Sequence, residues 1–188
     1  MKKSLMALSV ISIFAATSTQ AGFYGSVGLG AVLAGQYKFE DGSKPKAKFD
    51  APAYSLAIGY ELPIWNIRVE AEYLRLQSDF KHDPNLSMIT SGFMLNGYVP
   101  LPVPLISPYI GVGIGTAETT LFLNDSNGGL QAKPEFAYQA ILGAEVDIPF
   151  ISTVGIELRY VHSEGDITIG EDQYVKNDIL ALFLKARF

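Results

Sequence analysis

Cysteine is absent from the 188-residue chain, histidine occurs twice and tryptophan once. The first absence excludes disulfides, thiol catalysis and cysteine-based metal sites. Positive charge is also in deficit, with 14 Lys+Arg against 19 Asp+Glu, so nucleic acid is not an expected partner. Beyond residue 21 no apolar run approaches the roughly 20 residues that a helical membrane span requires. Yet 48% of the residues are hydrophobic, and that apolar surface has to be accommodated in some other way.

The first residues are organised as an export signal. Lys2 and Lys3 precede an apolar stretch from Leu5 to Ala16, and small and polar residues follow, ending Thr19-Gln20-Ala21. The stretch is too short, and too interrupted by Ser9 and Ser12, for a membrane anchor. Residues 1–21 are therefore expected to be a signal peptide cleaved after Ala21, and residues 22–188 a single domain. An exported domain without disulfides needs another source of rigidity, which a closed sheet with no free edge supplies.

Most of the remaining hydrophobicity alternates with period two, the mark of strands whose two faces meet different surroundings. Phe23, Val27, Leu29, Ala31 and Leu33 oppose Tyr24, Ser26, Gly28, Gly30 and Gln36; Tyr54, Leu56, Ile58 and Tyr60 oppose Ser55, Ala57, Gly59 and Glu61. Val69, Ala71 and Tyr73 oppose Arg68, Glu70 and Glu72, and Phe93, Leu95 and Val99 oppose Gly92, Asn96 and Tyr98. Further segments set Ile110, Val112 and Ile114 against Gly111, Gly113 and Gly115, and Tyr138, Leu142 and Val146 against Gln139, Gly143 and Glu145. Ile156, Leu158 and Tyr160 oppose Gly155, Glu157 and Arg159; finally Leu180, Leu182, Leu184, Ala186 and Phe188 oppose Ala181, Phe183, Lys185 and Arg187. The pattern predicts an all-β fold of about eight strands. Polar loops (40–50, 78–87, 117–135, 163–173) follow the odd strands, and short apolar turns with proline (62–65, 100–104, 148–151) follow the even ones. Outer-membrane barrels show this asymmetry, with short turns in the periplasm and longer loops outside.

Volume decides which face looks inward. Eight strands enclose an interior just wide enough for side chains, and glycine, serine and alanine fill an apolar core poorly. The charged residues Glu61, Arg68, Glu70, Glu72, Glu145, Glu157 and Arg159 share the glycine faces, where they can pair with one another. On a lipid-facing surface a mid-bilayer Arg or Lys would cost about 2–4 kcal/mol. The expected architecture is a closed, antiparallel, up-and-down transmembrane β-barrel with the apolar set facing hydrocarbon and Tyr54, Tyr60, Tyr73, Tyr138, Tyr160 and Phe188 as interfacial aromatics. A soluble lipocalin-like barrel would need the reverse packing.

The junction Thr19-Gln20-Ala21 followed by Gly22-Phe23-Tyr24-Gly25, the strand Pro108-Tyr109-Ile110-Gly111-Val112-Gly113-Ile114-Gly115 and the C-terminal strand ending in Phe188 resemble the small outer-membrane β-barrel superfamily of opacity-like proteins, OmpX and the OmpA transmembrane domain. The resemblance covers essentially all of the chain after residue 21. It implies residence in a Gram-negative outer membrane, contact with lipid and lipopolysaccharide, and a structural, adhesion or surface-interaction role. It also implies that Leu180, Leu182, Leu184, Ala186 and Phe188 form the signal read by the barrel-assembly machinery. The apolar, proline-rich turns depart from the family pattern.

Other motifs carry less. A phosphate cradle needs a Gly-x-Gly-x-x-Gly turn opening a helix, whereas glycines 111, 113 and 115 alternate on a strand and leave room for long neighbours. His162-Ser163-Glu164 invites comparison with a lipid A deacylase, but adjacent strand residues point to opposite faces. His82, near Asp79 and Asp83, offers too few ligands for a metal, and residues 124–129 lack the twelve-residue calcium pattern. Lys44, Lys46 and Lys48 could meet lipopolysaccharide phosphates, although Glu40, Asp41 and Asp50 flank them. The expectation is a non-enzymatic, monomeric barrel without cofactor or metal whose polar lumen is plugged by a charge network. A narrow pore for solutes or ions is the alternative, and a lipid A-modifying enzyme a third reading.

Overall fold

A computed structural model describes residues 22–38, 51–62, 67–79, 86–101, 103, 106–123, 129–131, 133–148, 152–169 and 171–188. All regular structure among them is strand: β1 (Phe23–Lys38), β2 (Ala51–Glu61), β3 (Arg68–Asp79), β4 (Leu86–Pro100), β5 (Ser107–Leu123), β6 (Gly129–Gln131), β7 (Glu135–Ile148), β8 (Ser152–Ile169) and β9 (Glu171–Arg187). Neighbours pair antiparallel, β1 pairs with β9, and β4 pairs with β5, so the sheet has no open side.

The three-residue β6 is not an independent wall. Two residues of β5, between the pairs Ala117↔Glu135 and Thr120↔Gln131, face three on the other strand. One residue is therefore extra, and β6 continues β7 past a bulge. Pro134 lies in that interval, where its missing N–H would in any case interrupt the ladder. Eight strands close the barrel.

The stagger of the closure follows from the register. Starting at Tyr109, the paired positions run through Gly143, Glu157, Phe183, Gly30, Ala53, Leu76 and Thr90 and return to β5 at Thr119, ten residues beyond the start. Such a stagger over eight strands tilts them by roughly 40°. A ring at constant height therefore climbs about one residue per strand relative to the register. This places Tyr54, Tyr73, Phe93, Tyr138 and Tyr160 at one level, with Tyr73 and Phe93 ring centroids 5.3 Å apart. Toward the short turns, Phe23 and Tyr60 pack at 4.8 Å, and Phe188 is fixed by reciprocal backbone hydrogen bonds with Gly25.

The outward face is apolar: Leu29, Leu56, Ile58, Phe93, Val112, Ile114, Leu142, Ile156 and Leu184 are all exposed. Arg68, Glu70, Glu72, Glu157 and Arg159 are buried inside. The orientation read from the sequence thus holds.

Two details differ. Gln36, assigned to the inner face, is outside and pairs with Asp178, because a register shift between Val32 and Ala34 reverses the alternation above it. Residues 117–135 and 163–173 are not simply loops, since β5 runs on to Leu123 and β8 pairs with β9 as far as Ile169↔Glu171. The β-branched residues Thr119, Thr120, Ile167, Thr168, Ile169 and Val175 favour continued strand there, so the ladder does not stop at the aromatic level.

Candidate functional site

The interior is a stack of tiers that β3 counts off in steps of two residues. Nearest the short turns, Arg68 Nη1 donates to both Glu145 carboxylate oxygens at 2.6 and 2.8 Å. Arg187 joins the same Glu145 to Glu61, each at 3.1 Å. The Arg68 guanidinium lies over the Tyr109 ring, 4.7 Å from its centroid, and that of Arg187 over Tyr24 at 5.1 Å. Planar cations against aromatic faces keep favourable neighbours on the sides their ion pairs leave open.

In the next tier Lys185 Nζ sits between two carboxylates, 2.8 Å from Glu70 Oε2 and 3.2 Å from Glu157 Oε1. The phenol of Tyr98 donates to Glu70 at 2.9 Å and that of Tyr109 to Glu157 at 2.7 Å. Above it, Arg159 donates from Nη1 to Glu72 Oε1 at 2.6 Å and from Nε to Glu157 Oε2 at 2.7 Å, and a second Glu157 contact comes from Nη2. Asn96 and Gln139 donate to the other oxygen of Glu72, at 2.8 and 3.1 Å. Arg159 and Glu157 are both 0% exposed. Because β8 and β3 are four strands apart in either direction around the closed sheet, the Arg159–Glu72 pair spans the full width of the interior.

Glycine makes room for these long side chains. A Cβ at Gly111 would stand 2.7 Å from the Tyr98 ring, one at Gly143 would run into the Tyr109 ring, and one at Gly113 into the Asn96 amide. Toward the loop end the ionic tiers give way to an apolar layer of Val32, Leu74, Leu76, Val161, Ile179 and Phe183, with the Arg159 guanidinium 4.5 Å from the Phe183 ring centroid. Beyond it, Thr90, Thr119, Asn177 and Ser163 form a small hydrogen-bonded group.

The structure brings Glu61, Arg68, Glu70, Glu72, Glu145, Glu157 and Arg159 into one connected network. Reading acids and arginines alone missed four of its members, Lys185, Arg187, Tyr98 and Tyr109, together with the amides of Asn96 and Gln139. Parity alone would have added them, since each lies an even number of residues from an inward position on its own strand. The inner apolar layer was missed too, although Leu74 and Leu76 continue the face of Arg68, Glu70 and Glu72. Leu180, Leu182, Leu184 and Ala186 alternate on the outer face of β9, and Phe188 follows directly after its last residue. Lys44, Lys46, Lys48 and His82 lie outside the described residues.

Ser163 is buried inside, while His162 is on the outer wall, stacked on Tyr138 at 4.8 Å and 2.7 Å from Asp178. Tyr160 donates to the same Asp178 oxygen at 2.6 Å. Serine and histidine are therefore separated by the barrel wall and cannot exchange a proton directly. Among the described residues no group of three or more potential ligands is arranged to hold a metal ion.

A closed antiparallel sheet with a hydrocarbon-compatible exterior and an ion-paired interior defines a transmembrane β-barrel of the up-and-down class. The chain belongs to the outer membrane protein beta-barrel domain family, whose model matches residues 4–188, and is accordingly an outer-membrane protein. Among solved structures it is similar to Neisserial surface protein A (NspA), with 14% identity, 89% of this chain and 98% of that chain covered, and a TM-score of 0.63. Ail, the attachment invasion locus protein of Yersinia pestis, aligns at 14% identity over 90% of this chain and 100% of that chain, with a TM-score of 0.48. Outer membrane protease OmpT from Escherichia coli aligns at 12% over 90% and 98%, with a TM-score of 0.49. Curated protein sequences give no match.

Proposed function

We propose that the chain is exported, loses residues 1–21, and serves as a monomeric, non-enzymatic barrel whose lumen is closed by its ion pairs and whose loops act at the cell surface in a structural, adhesion or surface-contact role. The observation that carries this reading is the width-spanning Glu72–Arg159–Glu157 arrangement with no exposed atoms to speak of. Ions crossing it would have to break hydrogen-bonded charge pairs in a poorly hydrated interior, where leaving such partners unmatched is expensive. In the orientation usual for such barrels, the short turns face the periplasm and the loops the exterior. Lys44, Lys46 and Lys48 then lie in the first external loop, where lipopolysaccharide phosphates are within reach of their charge.

Two measurements test this. Planar-bilayer recordings of the purified protein are expected to show no conductance steps above background; reproducible steps would favour the narrow-pore reading. Lipid A masses are expected to be unchanged by overexpression and identical for His162→Ala, because the wall separates His162 from Ser163. A mass shift that disappears in that variant would make the barrel an enzyme.

A further inference from the structure

The lumen changes chemistry along its axis, and the change extends all the way around the wall. Between the Glu72–Arg159 tier and the Thr90–Thr119–Asn177 group, Val32, Leu74, Leu76, Val161, Ile179 and Phe183 form one buried cluster on β1, β3, β8 and β9. Ala53 joins it from β2. Met94, Ala117 and Ala137 pack together on the three strands that remain, β4, β5 and β7. Followed around the stagger of the sheet, Ala181, Val161, Ala137, Met94, Leu74 and Ala53 fall at about one height. Each residue of the layer is no more than 5% exposed. The Phe183 ring fills the space that Gly28 and Gly30 leave, since a Cβ on them would stand 3.2 and 3.0 Å from its Cδ1.

Orphaned polar atoms mark where water belongs. Above the layer Ser78 Oγ and Asn177 Oδ1 are buried without a hydrogen-bond partner, and below it so are Gln139 Oε1, Arg68 Nε and Tyr24 Oη. Ordered water satisfies such atoms, because each offers it one of the polar contacts it needs. The layer offers it none. No side chain there carries a hydrogen-bond donor or a nitrogen or oxygen acceptor, and apolar spaces of this kind stay dry. At its thinnest, on β8, only Val161 separates Arg159 from Ser163 on the inner face. Four residues of strand tilted at roughly 40° still amount to about 10 Å of height without a partner for water. An apolar constriction of that kind stops ions by excluding their hydration water.

We propose that this apolar layer is the barrel's barrier to water and small ions, a second seal in series with the ion pairs and independent of them. Water stands in the lumen on both sides of it and does not cross. The proposal rests on the closed lumen argued above and names the part that keeps it closed when the charges are gone.

The double variant Glu72→Gln with Arg159→Met takes the width-spanning charge pair out of the tier beneath and leaves the layer whole. It is expected to be silent in planar bilayers, and in vesicles to match the osmotic water permeability of the wild type. Adding Leu74→Ser and Leu76→Ser to the same chain carries hydroxyls up β3 toward Ser78, and is expected to raise that permeability several-fold. Only protein that migrates faster unboiled than boiled, and is therefore folded, enters the comparison. A leak through the double variant beside a silent wild type would make the ion pairs the barrier; it would overturn the proposal and leave the closed lumen standing. Conductance steps from the wild type itself would instead remove the closed-lumen reading. A folded fourfold variant as tight as the wild type would overturn the proposal as well. If that variant does not fold, the unmodified protein decides. Magnetisation transfer from water, followed by NMR in micelles, is expected at the side-chain amides of Gln139 and Asn177 and absent from the methyl groups of Leu74, Leu76, Val161 and Ile179. Transfer to those methyl groups would show a wet layer and overturn the proposal.

Discussion

Arg159→Ala is expected to destabilise the folded barrel by about 3–5 kcal/mol, the range for breaking a buried ion pair from one side. The side chain has no exposed surface and serves two carboxylates on opposite parts of the wall, Glu72 on β3 and Glu157 on β8. Truncation strands both. Glu157 retains Lys185 and the Tyr109 phenol, whereas Glu72 keeps only the amides of Asn96 and Gln139. Glu72 is thus the residue whose charge becomes intolerable. The combined variant Glu72→Gln with Arg159→Met is expected to regain most of the lost stability, because removing both charges removes the desolvation penalty along with the attraction. Denaturant unfolding in detergent, followed by the mobility difference between unboiled and boiled protein, measures both variants. Equal midpoints for wild type and Arg159→Ala would show that the stack contributes nothing to holding the walls together.

The faces of the barrel could be read residue by residue from the chain, because a strand offers only two directions and the two media here differ greatly. Leu56 beside Ala57, Val112 beside Gly113, and Leu158 beside Arg159 each declare their side. What could not be read depends on closure. Arg159 meets Glu72 across 87 positions of sequence only because the sheet closes with a stagger of ten, a property of all eight registers together that no single segment contains. The shift between Val32 and Ala34 is equally silent in composition, since one bulged residue leaves the pattern on each side intact while exchanging the faces, and Gln36 was placed inside for that reason. The upper interior differs from the expected ionic lumen for another cause: the charges lie in the middle of the strands, and the same parity carried further gives Leu74, Leu76, Ile179 and Phe183, a packed apolar layer.

Neighbouring positions on β7 provide the sharpest contrast between the two media. Leu142 points into lipid, 57% exposed, four residues from the Tyr138 aromatic level and six from the strand end at Ile148, which places it near the middle of the hydrocarbon. Leu142→Arg is expected to reduce the stability of the barrel folded in a bilayer by about 2–4 kcal/mol, the penalty for a guanidinium near the midplane. Leu142→Ala separates the charge from the lost volume. Gly143, one residue on, faces the interior, where its missing side chain leaves room for the Tyr109 ring. Gly143→Ala is expected to cost about 1–3 kcal/mol by overpacking, because displacing that ring also disturbs the hydrogen bond from Tyr109 to Glu157. The two penalties have different signatures. The Leu142→Arg penalty shrinks in thinner bilayers, where the guanidinium reaches headgroups more easily, whereas that of Gly143→Ala is independent of lipid and falls when Tyr109 is shortened to leucine in the same chain. Reversible unfolding from vesicles of two acyl lengths reads both, and a lipid-dependent Gly143→Ala beside a lipid-independent Leu142→Arg would reverse the assignment of the two faces.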